Sequence, residues 1–295
     1  MALPRLLNNA RFVRYGVRVD TAPEWIWLAL FATALWPAWW WMARRMLDGS
    51  DDPLGLLALA VLCGLVWQQR RVLRPAPKLA WLAIALGLAL CATVGVALLP
   101  PLASALLAVL AVAAALAAWL PASVPTLPVL GLAVLALPLL ASLQFYAGYP
   151  LRVITAEASA WLLSGGYEVV RSGASLRVDG QLIIVDAPCS GVQMAWLGYF
   201  TACVVALHVR RSNARFLARL PFVGALVLAG NVARNTVLVA FAGAGHALPQ
   251  WAHEAVGLLT LAAVCGSIAW VMGLVGRMGL AGRPGMFKGG RHELA

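Results

Sequence analysis

Long apolar runs recur along the chain, separated by short segments that carry most of its charges. A helix needs about 20 apolar residues to cross a bilayer. The chain has 62% hydrophobic and 11% charged residues, against roughly 45–50% and about 25% in soluble domains. We therefore predict an all-α polytopic membrane protein with about eight transmembrane helices. The predicted spans are 25–43, 54–67, 79–99, 102–120, 127–146, 190–208, 220–243 and 254–275. The run 54–67 is short, so seven is the competing count.

The basic residues predict the orientation of these spans, because cytoplasmic segments are enriched in Lys and Arg. Placing the N-terminus inside puts most of the 22 basic residues in inner segments, including 70–78 and 209–219, and also places the C-terminus inside. The pair Arg44-Arg45 does not fit, although Asp48, Asp51 and Asp52 partly offset it. The net charge of +11 is thus explained by membrane orientation. The expected surroundings are membrane lipid, and no nucleic acid partner is predicted.

One long segment, 147–189, is predicted to lie on the outer side. It begins with an apolar stretch, 154–163, that is too short to span. An alternating pattern follows, with turn signals at Ser172-Gly173 and Asp179-Gly180, and this favours a small extracytoplasmic β-hairpin or meander. We divide the chain into an N-terminal membrane region of about five helices, 1–146, and a catalytic core, 147–295. The core comprises the outer β segment, the last three helices and the basic cytoplasmic tail.

Cys189 is the cysteine whose surroundings suggest chemistry. It precedes Ser190-Gly191 at the predicted outer mouth of a membrane helix. The positive end of a helix dipole favours the thiolate, which is the nucleophilic form. The N–H groups of Ser190 and Gly191 could also hold an oxyanion. The other cysteines lie within apolar runs, where cysteine behaves as a small hydrophobe: Cys63, Cys91, Cys203 and Cys265. No CxxC pair occurs, which argues against disulfide exchange.

An arginine and a histidine follow on the next two predicted spans. Arg234 lies within the run 220–243, where a charge costs at least about 2.5–3.5 kcal/mol and marks a functional candidate. Asn231 and Asn235 have the spacing of its helical face. His253 begins the last span, on the same edge of the membrane as Cys189, and His246 in the preceding loop is the fallback.

These residue types suit cysteine chemistry. Histidine is the usual base for a thiol, and an arginine can stabilise an oxyanion or hold a substrate carboxylate. Cys189, Arg234 and His253 supply one thiolate and one imidazole, which falls short of a zinc ligand set. We therefore predict no metal and no cofactor.

The strings APCSGVQM, NVARN and HEAVG, in that order on the last three predicted spans, resemble the exosortase/archaeosortase family of multipass membrane enzymes. The family pattern is a Cys-Ser-Gly after an outer segment, an arginine in the next helix, and a histidine followed by a glycine at the final helix. The resemblance covers about residues 145–275 with motifs. It implies Cys189 as nucleophile, Arg234 as the essential arginine and His253 as the histidine. Ser190, Gly191, Asn231 and Asn235 are supporting residues.

The resemblance also implies an activity, that of a sortase-like cysteine protease or transpeptidase. Its substrates would be membrane-anchored proteins with a C-terminal sorting signal: a Pro-Glu-Pro-type motif, a span and a basic tail. Cleavage would give an acyl-enzyme at Cys189, followed by transfer to an unidentified surface acceptor. The location implied is the bacterial inner membrane with the site facing the periplasm, often alongside exopolysaccharide production. Two alternatives are a transporter whose anion path is lined by Arg234, and a non-catalytic factor in exopolysaccharide export.

Overall fold

The computed structural model describes residues 24–49, 51, 53–184, 190–245 and 249–281. In this part of the chain there are eleven helices and one small sheet. The helices are α1 (Glu24–Ala34), α2 (Trp36–Leu47), α3 (Gly55–Gln69), α4 (Leu79–Leu98), α5 (Pro101–Trp119), α6 (Thr126–Leu135), α7 (Leu140–Leu163), α8 (Val192–His208), α9 (Asn213–Leu217), α10 (Leu220–Gly243) and α11 (Gln250–Ala281). The strands are β1 (Val169–Ser172), β2 (Ser175–Val178) and β3 (Gln181–Ile184).

The helices confirm a membrane architecture but not the count of eight spans. Four described segments are long and apolar enough to cross a bilayer: Leu79–Leu98, Pro101–Trp119, Asn213–Gly243 and Gln250–Gly273. The number rises to six if each of two bent helix pairs forms one span. The predicted spans 54–67 and 190–208 correspond to shorter apolar helices, α3 and α8.

Two of the predicted spans are interrupted by sharp bends. The chain turns by 71° between α1 and α2, and by 92° between α6 and α7. The prediction of continuous helices over 25–43 and 127–146 is therefore wrong. Pro37 lies in the first turn of α2, and Pro138 lies in the break before α7. Proline has no N–H for a helical hydrogen bond, and its ring disfavours helix at the preceding residue. The apolar stretch 154–163 is the C-terminal half of α7 and is not a separate element.

The break between α6 and α7 is capped from both sides. The Trp196 indole N–H donates to the Leu135 carbonyl at the end of α6, at 3.2 Å. The Asp51 carboxylate accepts from the Ala141 N–H at the start of α7, at 3.2 Å. Asp51 also lies 3.9 Å from the Arg45 guanidinium, so it offsets part of the charge that did not fit the predicted orientation. Since an unsatisfied backbone group in an apolar environment costs several kcal/mol, these side chains stabilise the broken helix.

The opposite end of α6 is fixed to the loop that follows α8. The Leu127 N–H donates to Asn213 Oδ1 at 3.0 Å, and Asn213 Nδ2 donates to Thr126 Oγ1 at 2.9 Å. In the same loop, the buried Arg211 guanidinium donates to the Met272 carbonyl of α11. Burial lowers the pKa of Arg211, and the charges of Arg219 and Arg215 lower it further. The start of α6 and the end of α8 therefore lie together, and the loop after α8 also contacts α11 at Met272.

The described residues form five buried apolar clusters, and two of these show how the helices pack. In the first, α5 packs closely on α4 through alanines such as Ala85, Ala114 and Ala118, because small side chains let helices approach in membranes. In the second, α8 lies against α6, α10 and α11, with Trp196 and Ile268 fully or almost fully buried. The division of the chain at residue 146 stays a prediction.

The predicted β meander is confirmed. The order is β1-β2-β3, both pairs are antiparallel, and Val169 pairs with Val178 while Ser175 pairs with Ile184. The second turn lies at the predicted Asp179-Gly180, and the first lies at Gly173-Ala174, one residue after the predicted Ser172-Gly173. Asp179 and Gly180 adopt φ of 46° and 84°, as a tight hairpin turn requires. The buried face of β2 packs on the C-terminal halves of α7 and α10 through Leu176, Val178, Ala156, Leu163 and Val239.

Candidate active site

Cys189 lies outside the described residues, whereas the two residues that follow it are part of the described structure. Ser190 and Gly191 precede α8 and are both buried. The Ser190 hydroxyl accepts a hydrogen bond from the Val192 N–H at 3.3 Å and donates one to Gln144 Oε1 at 2.8 Å. The start of α8 is therefore joined by a side-chain hydrogen bond to α7.

Gly191 is held in a conformation and a space that suit only glycine. Its φ is +82°, in the left-handed region that L side chains rarely adopt. A Cβ built on Gly191 would lie 2.8 Å from Cγ and 2.9 Å from Nδ2 of Asn231. Asn231, on α10, thus occupies the space that a side chain on Gly191 would need. The segment that follows Cys189 rests directly on α10.

Asn231 and Asn235 are directed at α7. Both are buried, with 2% and 3% of their surface exposed. Asn231 Nδ2 donates to Thr155 Oγ1, and Asn235 Nδ2 donates to Ser159 Oγ, each at 3.0 Å. The Thr236 hydroxyl also lies 3.1 Å from Ser159 Oγ. These bonds form a buried polar ladder between α7 and α10.

Arg234 is directed at α11. A Cβ built on Gly257 would lie 3.3 Å from its Nε, 3.4 Å from Nη2 and 3.5 Å from Cζ. The guanidinium is half-buried and occupies the space left by that glycine. His253 is half-buried and precedes Gly257 by four residues, about 6 Å along the helix and on the same face. Arg234 therefore reaches the face of α11 that carries His253.

The structure thus brings together most of the predicted site residues around one helix. α10 contacts the Ser190-Gly191 turn through Asn231 and contacts α11 through Arg234. The fallback residue His246, like Cys189, lies outside the described residues. The other cysteines are in helices, as predicted: Cys63, Cys91, Cys203 and Cys265. Among the residues that the structure describes, no three His, Cys, Asp or Glu side chains are grouped as metal ligands.

Three contributors were missed by sequence reasoning: Gln144, Thr155 and Ser159, all on α7. Their segment was divided between an apolar span and an outer stretch, so no helix carrying all three was expected. One signal was present, because Thr155 and Ser159 have the same four-residue spacing as Asn231 and Asn235. Such matched spacings are expected when two helices run side by side and pair through their polar side chains.

These features define a class: a polytopic helical membrane protein with polar residues grouped at the start of α8, the middle of α10 and the start of α11, and with a small sheet packed on α7 and α10. The match to known families is more specific. Residues 40–270 match the family model of the transmembrane exosortases, Exosortase_EpsH. The chain belongs to this family, and the membership suggests a membrane transpeptidase. No curated protein and no solved structure matches the chain.

Proposed function

We propose that this protein is a membrane-embedded cysteine protease and transpeptidase that cleaves the C-terminal sorting signals of exported proteins. The substrates are membrane-anchored proteins carrying a Pro-Glu-Pro-type motif, an apolar span and a basic tail. Cleavage proceeds through a thioester at Cys189, and the acyl group passes to an acceptor at the cell surface. Cys189, Arg234 and His253 perform the chemistry, and Ser190, Gly191, Asn231 and Asn235 support it.

One observation carries the proposal. The polar face of α10 lies against the segment after Cys189 and against the helix that carries His253. Through Asn231 it touches Gly191, two residues after Cys189, and through Arg234 it touches Gly257, one turn from His253. Cys189 precedes this turn directly in the sequence, and the proposal is that its thiol acts together with the arginine and the histidine. A transport path around Arg234 would not require the cysteine segment to rest on the same helix.

The proposed reaction follows from these residue types. His253 takes the thiol proton of Cys189, and the thiolate attacks the scissile carbonyl carbon. The negative oxygen that forms is stabilised by the Arg234 guanidinium. The C–N bond then breaks, and the leaving amine takes the proton from His253. An acceptor amine, hydroxyl or water next attacks the thioester and gives its proton to His253. The thiol sulfur leaves, and that proton returns to it.

The membrane supplies much of the positioning. A substrate anchored by its own span presents the peptide bond next to the bilayer surface, which reduces the entropy lost in bringing it to the thiol. We place the protein in the bacterial inner membrane with eight spans, both termini inside and the site outside. In support, the sheet covers the end of the bundle where α10 finishes, since Gly243 packs against Val178. The arginine-rich loop that holds Arg211 lies at the end where α8 finishes.

The test is a Cys189→Ala variant, with Cys63→Ala as the matched control because Cys63 is an exposed cysteine in α3. A reporter domain fused to a Pro-Glu-Pro-type signal, an apolar span and a basic tail is co-expressed, and its size is followed on a gel. We expect Cys189→Ala to abolish processing at normal enzyme level, and Cys63→Ala to leave it unchanged. Mass spectrometry of the wild type should find a hydroxylamine-sensitive adduct on Cys189.

The same assay tests which histidine is the base and whether the reaction is transpeptidation or hydrolysis. His253→Ala should abolish processing and His246→Ala should not, whereas the reverse result would make His246 the base. An added acceptor amine that appears joined to the shortened reporter indicates transpeptidation, and a free carboxylate alone indicates hydrolysis. Normal processing by Cys189→Ala would overturn the enzyme proposal and leave a transporter or a non-catalytic export factor.

A further inference from the structure

We propose that α7 is the positioning element of the site, with Gln144 holding the turn after the cysteine and Thr155 and Ser159 setting the orientation of α10. This inference rests on the proposed function. It assigns a role to three residues that neither touch the substrate in our mechanism nor belong to the motifs of the last three helices. They act through Ser190, Asn231 and Asn235.

The first contact is at the cysteine segment. The Ser190 hydroxyl uses its oxygen to accept from the Val192 N–H and its hydrogen to bond Gln144 Oε1. Ser190 has 3% of its surface exposed, so water competes little for this bond. The bond fixes the rotamer of Ser190 and, with it, the Ser190-Gly191 turn, which follows Cys189 in the sequence. Without the Gln144 oxygen, the hydroxyl would be free to rotate and the turn would loosen.

The second contact is at the arginine helix. Two hydrogen bonds of equal length, both 3.0 Å, join Thr155 to Asn231 and Ser159 to Asn235. Two bonds at the same four-residue spacing fix both the rotation and the axial position of α10 relative to α7. Arg234 lies between the two asparagines in sequence, and its side chain leaves the helix towards α11. The ladder therefore sets the direction in which the guanidinium points.

Both contacts come from one face of α7, which is a continuous helix through Pro150. Gln144 and Thr155 are separated by about three helical turns, so their side chains leave α7 on the same side. The N-terminal end of this helix is itself fixed, because Asp51 accepts from the Ala141 N–H. The helix thus relates the cysteine turn to the arginine helix, two parts of the site that come from different regions of the sequence.

The experiment compares pairs of variants in purified enzyme in liposomes, using the reporter substrate described above. Gln144→Met and Thr155→Val keep the side-chain volume and remove the acceptor. Gln144→Glu and Thr155→Ser keep an acceptor oxygen. Thr201→Val is the matched control, because the Thr201 hydroxyl bonds only the Leu197 carbonyl within α8 among the contacts described. Folded enzyme is quantified by gel filtration, so that rates are expressed per folded molecule.

We expect Gln144→Met and Thr155→Val to lower kcat by between about tenfold and about a hundredfold with KM unchanged, the range seen when catalytic groups are misplaced by up to an ångström. Gln144→Glu, Thr155→Ser and Thr201→Val should retain most of the wild-type rate. Alkylation of Cys189 by iodoacetamide, in a chain whose other cysteines are replaced by alanine, should slow in Gln144→Met and stay normal in Thr201→Val.

The outcomes distinguish the two proposals. If Cys189→Ala abolishes processing while Gln144→Met and Thr155→Val process at the wild-type rate, the positioning role is wrong and the proposed function stands. The positioning role is also overturned if these two variants lose only the amount of folded enzyme, or if their conservative partners fail equally. If Cys189→Ala still processes the reporter, the proposed function fails and this inference fails with it.

Discussion

At the scale of single residues, two glycines are required by what packs against them. For Gly191→Ala we expect loss of processing, since the left-handed φ costs roughly 1–2 kcal/mol in a residue with a Cβ. The new methyl would also lie 2.8 Å from Asn231 Cγ. The measurement is reporter processing per folded enzyme. Gly87→Ala in α4 is the control, because its Cβ would meet nothing within 4 Å. Full activity of Gly191→Ala would contradict the placement of this turn on α10.

Gly257 makes room for the arginine. A Cβ there would lie 3.3 Å from Arg234 Nε, which is tight, but the guanidinium is the end of a flexible chain and can shift. We expect Gly257→Ala to lower kcat by about tenfold and Gly257→Val to lower it further. Gly266→Ala is the control on the same helix, because its Cβ would meet nothing within 4 Å. We expect this variant to leave kcat unchanged. Equal rates for all three variants would show that the position of Arg234 does not matter for catalysis.

The sequence alone identifies some residues of the candidate site but not others. Cys189, Arg234 and His253 were selected because each is chemically unusual for its position in an apolar chain. Thr155 and Ser159 are ordinary in an apolar helix, where a hydroxyl can bond its own backbone. Their importance comes from pairing with α10, and that pairing is a tertiary contact that no local pattern specifies.

At the scale of elements, the broken helix α6–α7 depends on side chains from elsewhere. Trp196→Phe keeps an aromatic ring stacked on Phe200 but removes the N–H that satisfies the Leu135 carbonyl. Leaving that carbonyl unpaired should destabilise the protein by about 1–3 kcal/mol. Denaturant unfolding in detergent, followed by tryptophan fluorescence, measures the change. Trp270→Phe is the control, since Trp270 is 67% exposed. Equal stability of the two variants would mean that the cap contributes nothing.

The bends themselves could be predicted only in part. Pro37, Pro138 and Pro150 are all visible in apolar stretches of the sequence. Yet α7 continues through Pro150, whereas the helices break at the other two. A proline in the interior of a helix removes one hydrogen bond, but whether the helix ends there depends on what satisfies the freed groups. At Pro138 the partners are Asp51 and Trp196, which are distant in sequence.

At the scale of the whole molecule, the two ends of the bundle differ in character. One end carries the sheet, packed on α7 and α10. At the other end, the loop segments 74–78 and 209–213 bond the ends of neighbouring helices: Arg74 and Lys78 donate backbone N–H groups to the carbonyls of Trp119 and Ala118, and Asn213 bonds the start of α6. The basic segments predicted to be cytoplasmic thus include residues that hold helix ends together.

This asymmetry gives a test of the orientation. In a chain whose native cysteines are replaced by alanine, Ser172→Cys places a thiol on β1 and Ser212→Cys places one in the loop before α9; both positions are exposed. A membrane-impermeant maleimide applied to intact spheroplasts should label Ser172→Cys at once and Ser212→Cys only after the membrane is permeabilised. The expectation follows from the enrichment of arginine on cytoplasmic surfaces. Reversed labelling would put the sheet, the Ser190 turn and Arg234 at the cytoplasmic side. An enzyme so oriented would have no access to exported substrates, so this single result would overturn the orientation and the proposed function together.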